Sequence, residues 1–300
     1  MNTENSRNCL SEHQNGNKKH HSTETLNILT SDLILEAIDR KQVTALVLLD
    51  LSKAFDSIEH MSLLKKLRAM GVCKEVMEWF RSYLAGRSQA VRIDCETSDP
   101  RLVSHGVPQG SILGTALINI YINDLPSVPN VGSLECYVDD SQLHLSFPVR
   151  DAILAAAQLA KDLRNIAAWF CKNILLINLD KTKVLILGIP QMLKNIPDDL
   201  SITLLSKEFA PFKSAKNLGD IMDCSVMYDE HITQVASKCI SSLCQINRIK
   251  HLFDKPTLIT TINSLVFSKL LYSSSVWANT PIKKNIELLQ VAQNFAARIV

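Results

Sequence analysis

No apolar run in this chain approaches the ~18 residues that a membrane span requires. The opening stretch, Met1–His21, is polar and lacks the apolar core of a secretory leader. These absences predict an intracellular protein, cytoplasmic or nuclear. Cys-x-x-Cys is also missing: eight cysteines lie singly at positions 9, 73, 95, 136, 171, 224, 239 and 244, with no histidine pair beside them. A zinc site is therefore not expected, and because several stand in apolar segments they read as reduced, buried thiols. No internal repeat is evident. With 300 residues, 46% of them apolar and 21% charged, the chain has the makeup of an ordinary folded protein of two or three subdomains. It begins without an obvious domain start and stops inside a predicted helix at Val300, so it reads as a fragment.

The net charge of +2 hides an asymmetry. Residues 231–300 carry eight Lys and Arg against Asp254 and Glu287, a net +6, which leaves −4 for the first 230 residues. A basic C-terminal part beside an acidic centre suits a phosphate-backbone contact next to a metal site; a solvated basic face explains the same charges.

What stands out is a doubled carboxylate. Tyr137-Val138-Asp139-Asp140 lies between the strand-like stretches 132–136 and 142–147. Turns usually choose one Asp or Asn with Gly, because one short polar side chain suffices. Two adjacent carboxylates repel unless a divalent cation neutralises them, although an ordinary acidic turn is the competing reading. A third carboxylate, Asp50, closes the apolar run 43–49, which reads as a central strand buried on both faces. Reactive groups collect at such strand ends; capping of the following turn is the alternative.

Ser22-Thr23-Glu24 predicts a helix start, with Leu26, Leu29, Leu33 and Ala37 at helical spacing up to Arg40. Helices follow over 61–70 and 74–84, with Leu64, Leu67, Val76, Trp79, Phe80 and Tyr83 as core stripes. A hairpin is expected around Glu96–Pro100, a loop over 106–111, and a helix over 112–125. Beyond the double aspartate come an Ala-rich helix over 151–170, short strands over 174–177 and 183–187, and a small β segment over 200–222. From Tyr228 the pattern is helical in three pieces, broken near Pro256 and Pro281.

Four blocks now stand in order: 49–58 (Leu-Asp-Leu-Ser-Lys-Ala-Phe-Asp-Ser-Ile), 106–114 (Gly-Val-Pro-Gln-Gly-Ser-Ile-Leu-Gly), 137–140 (Tyr-Val-Asp-Asp) and 178–182 (Asn-Leu-Asp-Lys-Thr). Together they resemble the palm motifs of reverse transcriptases of non-LTR, LINE-like retrotransposons. The segments 10–14 and 22–25 resemble the family's stretch before the palm, and Asn217-Leu218-Gly219 its primer-contacting turn.

The resemblance implies an α+β right-hand polymerase with partial fingers, a palm sheet covered by helices, and a helical thumb. The divisions expected are 1–41 partial fingers, 42–59 palm, 60–105 a fingers/palm connection, 106–226 palm, and 227–300 a truncated thumb. It implies RNA-directed DNA polymerisation from a primer 3′-OH with dNTPs, an RNA template, a DNA primer, and two Mg²⁺ ions with Mn²⁺ as substitute. Asp50, Asp139 and Asp140 would be the catalytic metal ligands, joined by the backbone carbonyl of Leu51. Phe55 would lie beneath the incoming sugar and reject a 2′-hydroxyl, Gln109 and Gly110 would meet nucleotide or template, and Lys181 would stand near the triphosphate. Tyr137, Leu218, Gly219, Lys250 and Lys255 would contact primer and template.

Departures from the family pattern are Asn17-Lys18 where Phe-Arg is usual after Gly16, Thr115 for Pro, Val138 for the commoner Ala, and Asp220 for a small apolar residue. The upstream fingers segments and the endonuclease domain expected of a full-length element are absent from these residues. A catalytically silent remnant that still binds nucleic acid is the alternative function.

Overall fold

The computed structural model describes residues 10–278 and 283–300. Ser22 caps helix α1 (Thr23–Asp39): its hydroxyl accepts from Thr25 N, and the Thr25 hydroxyl accepts from Ser22 N. Strand β1 (Gln42–Leu49) follows, then α2 (His60–Ala69), α3 (Lys74–Leu84) and α4 (Ile112–Tyr121). Strands β2 (Ser133–Tyr137) and β3 (Asp140–Pro148) form the double-aspartate hairpin, and α5 (Ala152–Lys172) leads to β4 (Lys183–Leu187). A further hairpin, β5 (Ser214–Asn217) and β6 (Asp220–Asp223), precedes α6 (Asp229–Ile249), α7 (Lys255–Ile262) and α8 (Lys283–Ile299).

Four strands make one antiparallel sheet in the order β4-β1-β3-β2. Its central strand shows why an almost unbroken apolar run was needed. Successive side chains point to opposite faces, so Val43, Ala45, Val47 and Leu49 enter a core with α2, α4 and α5. Leu46 enters a second core with Ile34, Leu185, Leu187, Met222, Tyr228 and Trp277. Fully burying one such side chain stabilises by ~1.5–3 kcal/mol, and a polar substitution on either phase would open one of the two layers. A third cluster, with Leu243, Ile246, Leu258, Ile262, Val266 and Ala292, holds α6, α7 and α8 together.

Several local expectations shift. On α3 the buried positions are Met77 and Leu84, with Phe80 and Tyr83 half-buried against the first core as expected, while Val76 and Trp79 face solvent. The hairpin of residues 88–102 turns at Asp94-Cys95, earlier than 96–100, because Asp94 accepts a left-handed φ of 51° and lets Ile93 pair with Glu96. The strand expected over 174–177 shrinks to Leu176–Ile177. The helical C-terminal part breaks once more, at Leu271–Ser273, after a π-helical stretch Asn263–Phe267; the break expected near Pro281 lies outside the described residues. All seven described cysteines are free, but only Cys136 and Cys239 are buried. The others sit on solvent-facing or half-covered positions, so apolar neighbours in sequence did not make them interior; Cys9 lies outside the described residues. No helix among the described residues is long and apolar enough to cross a membrane.

Candidate active site

The register of β1 against β3 brings the separated carboxylates together. Leu49 pairs with Ser141, so one further step of the antiparallel register sets Asp50 against Asp140. Asp140 itself pairs with Tyr137 across a two-residue turn of Val138 and Asp139. Val138 holds φ at 55°, a conformation that costs a β-branched residue on the order of 1–2 kcal/mol.

The N-terminal segment holds that turn in place. Residues 13–15 run beside β2, with Asn15 N donating to Cys136 O at 2.8 Å and Cys136 N donating to His13 O at 2.8 Å. The buried Gln14 amide oxygen accepts from Val138 N at 3.1 Å and from Gly16 N at 2.9 Å. Asn119 Nδ2 donates to Gly16 O at 2.6 Å and anchors the strap to α4. A side chain at Gly16 would put its Cβ 2.5 Å from Val138 N, so only glycine allows the approach.

The carboxylates repel one another. Withdrawal from water at the cleft wall, then the charges of Asp139 and Asp50, push the Asp140 carboxyl up to about 6. Asp139 is also raised, by burial first and then by Asp50. Lys181 opposes both shifts, and its Nζ stands 3.4 Å from Asp50 Oδ2. That Asp50 oxygen is buried and accepts no hydrogen bond. A buried carboxylate oxygen without a donor, beside two raised carboxyls, is the chemistry a hard divalent cation relieves. Among the described residues, no three His, Cys, Asp or Glu side chains converge to hold an ion by themselves.

These groups face a cleft of about 820 Å³. Asp50, Tyr137, Asp140, Lys181, Leu218 and Gly219 share its walls. Asp139 is at the turn tip beside them, and Leu51 continues from Asp50 into a short pairing with Ile177. Phe55 is half-buried and packs against the first core. Its carbonyl accepts from Val107 N at 2.8 Å, which ties it to the loop of Gln109 and Gly110. Those two are exposed, and Gln109 lines a separate depression with Asp56, Arg87 and His105. Lys250, just past α6, and Lys255, the first residue of α7, are exposed; they and the cleft are not brought together.

Sequence reasoning missed Lys183, Lys216 and Tyr272, which also line the cleft. It named Gln14 only within a resembling segment. It also missed a buried polar chain behind the Leu218–Gly219 turn. Gln142 Nε2 donates to Asn217 Oδ1 at 2.9 Å, Asn217 Nδ2 to Asn27 Oδ1 at 3.2 Å, and Asn27 Nδ2 to Asp220 Oδ2 at 2.9 Å. Burial pushes Asp220 up to about 6 and His231, 3.6 Å away, down to about 4. His231 Nδ1 accepts from Ile221 N at 3.2 Å, so the neutral ring carries its proton on Nε2 toward Asp220. The one available signal was Asp220 itself, an acid where the family pattern has a small apolar residue.

Residues 2–220 match the model of the reverse transcriptase (RNA-dependent DNA polymerase) family. The chain belongs to that family, and its relatives place it among reverse transcriptases of non-LTR retrotransposons. It is 30% identical to the "Probable RNA-directed DNA polymerase from transposon BS" of Drosophila melanogaster, over 98% of this chain and 33% of that protein. It is 27% identical to the "RNA-directed DNA polymerase from mobile element jockey" of Drosophila funebris, over 85% of this chain and 28% of that protein. The chain thus spans about a third of the length of the curated relatives it matches. Among solved structures it aligns with apo telomerase from Candida tropicalis at a TM-score of 0.47 and 15% identity, over 68% of this chain and 39% of that one.

Proposed function

We propose that this chain is the polymerising part of an RNA-directed DNA polymerase that extends a primer 3′-OH with dNTPs on an RNA template. The observation that carries the reading is the strand register that faces Asp50 toward Asp140 at the cleft wall, with an undonated Asp50 oxygen 3.4 Å from Lys181 Nζ. Two Mg²⁺ ions bound there would activate the hydroxyl and neutralise the pyrophosphate. Asp50, Asp139 and Asp140, with the Leu51 carbonyl, would hold them. Few protein donors converge on one point, which suits magnesium, whose shell is largely water and phosphate oxygen.

Lys181 spends the metal-free state paired with Asp50 and is within reach of a triphosphate once that carboxylate is engaged. There its ammonium neutralises the leaving group and offers it a proton. Phe55 shapes the pocket floor against a 2′-hydroxyl, and Gln109 with Gly110 meets nucleotide or template from the adjoining depression. Tyr137, Leu218 and Gly219 contact the primer. Residues 1–41 are assigned to partial fingers, 42–59 and 106–226 to the palm, 60–105 to the connection between them, and 227–300 to the thumb, with Lys250 and Lys255 on the duplex backbone.

Primer extension on an RNA template with Mg²⁺ tests this. Extension that is lost in Asp139→Asn and Asp140→Asn, with melting temperatures equal to or above the wild type, supports the reading, because removing either charge relieves repulsion. Duplex binding with no extension under any divalent ion would instead support a silent, nucleic-acid-binding remnant.

A further inference from the structure

We infer that Tyr272 is a nucleic-acid contact of the cleft, whose hydroxyl fixes the Leu218–Gly219 turn and whose ring face receives the terminal nucleotide of the primer strand. The inference rests on the polymerase reading above and adds a contact from a part of the chain that lies outside every sequence motif. Tyr272 lies 222 residues beyond Asp50 yet lines the same cleft.

Its placement is fixed on three sides. The phenol donates to Leu218 O at 2.8 Å and shares a 2.8 Å hydrogen bond with Thr23 Oγ1 at the start of α1. The ring lies along Gly219, where an added Cβ would come within 2.8 Å of Cε1. Behind it, the Trp277 indole donates to Tyr272 O at 3.1 Å. Leu218 and Gly219 both hold positive φ, 44° and 100°. The turn is thus held left-handed at both central residues, and the tyrosine bonded to its carbonyl is what stands against it. The helix break at Leu271–Ser273, with Ser273 at φ 55°, delivers the side chain to this spot.

With its hydroxyl engaged on both sides, the residue keeps 41% of its surface open and lines the cleft. An exposed aromatic face already held in one orientation loses little freedom on binding. Lys181, Lys183 and Lys216 line the same cleft, as do Asp50 and Asp140. Cations that track a phosphate backbone beside an aromatic surface that stacks a base are how single strands and strand ends are held. A tyrosine serving only as packing would be covered or would leave its hydroxyl in water; this one does neither.

The test uses the full chain and a primer–template duplex with 2-aminopurine at the primer 3′ end, whose fluorescence reports stacking on an aromatic ring. Tyr272→Phe and Tyr272→Leu both lose the hydroxyl and differ in aromaticity. Binding should quench the fluorophore with wild type and with Tyr272→Phe. Tyr272→Leu should lose the quench and bind roughly ten to a hundredfold more weakly than Tyr272→Phe, the range expected for one stacked base. Melting temperatures of the two variants should be alike, which shows that the difference is not one of folding. Equal quench and equal affinity in the two variants overturn the inference and leave the polymerase reading standing. No duplex binding by the wild type overturns both.

Discussion

Lys181 Nζ stands 3.4 Å from the Asp50 oxygen that accepts no hydrogen bond. The lysine is largely solvent-exposed and the carboxylate is not, so the two partners are screened unequally. The ammonium therefore competes with any divalent cation for Asp50.

Lys181→Gln is expected to lower the melting temperature in EDTA slightly, by the ~1 kcal/mol or less that a half-exposed ion pair contributes. It should also enlarge the rise in melting temperature on adding Mg²⁺ or Mn²⁺, because binding to the native state stabilises it and the competitor is gone. Thermal melts of wild type and variant with and without metal measure both effects. A wild type that gains nothing from either ion would remove the cation from this site.

Asp220 gives a pH dependence with a definite sign. A carboxyl raised to about 6 binds a proton in the native state that the unfolded chain releases near 3.9. Its ionisation therefore costs nothing below pH ~4 and about 3 kcal/mol above pH ~6. His144 and His231, pushed down to about 4, act oppositely: stability falls as pH drops from ~6.5 through 4. In the wild type the two trends oppose each other. Asp220→Asn keeps an acceptor for Asn27, so it should stabilise at pH 8 and make the loss on acidification steeper. Urea unfolding at pH 5, 6.5 and 8 would show it; parallel profiles for the two proteins would mean that Asp220 is not titrating as its burial implies.

Phe55 packs against the first core while remaining half-buried, so Phe55→Val should do two things in an extending enzyme. Ribonucleotide use should rise, by up to a few hundredfold if the clash is worth ~3–4 kcal/mol. Stability should fall by less than the ~3–5 kcal/mol of a fully buried phenylalanine truncation. Incorporation of dNTP and rNTP beside the melting temperature separates the effects. A full-sized stability loss with unchanged sugar choice would make Phe55 a core residue only.

Lys250 and Lys255 are exposed and away from the cleft walls. If they neutralise phosphates of a bound duplex, Lys250→Gln with Lys255→Gln should reduce the slope of log affinity against log salt by roughly 2. An unchanged slope would leave them as solvated charges on a helical face.

The sequence spoke most clearly where chemistry and periodicity coincide. Val43–Leu49 announced a strand buried on both faces, and the doubled aspartate its hairpin, because alternation and turn preference are local. Whether Asp50 and Asp140 meet depends on a register, which no local pattern contains. Only the likeness of the four blocks to one family supplied it. The Gln142–Asn217–Asn27–Asp220 chain was illegible for the same reason: each member is an unremarkable polar residue until four distant segments bury it together. Tyr272 was hidden by a helix break that no proline or glycine marks. Trp79 misled because on α3 two apolar faces overlap, and tertiary packing chose the other.

Gln14 and Val138 are 124 residues apart. At translation rates of 5–20 residues per second, roughly 6–25 s separate their appearance. The strap is thus made first and must wait for the turn it will secure. Until it docks, nothing offsets the left-handed strain at Val138, and the hairpin is free to relax toward other turn geometries. The turn that aims Asp139 and Asp140 can therefore be secured only once residue 138 has been made, and a chain interrupted before that residue carries the strap but never the site.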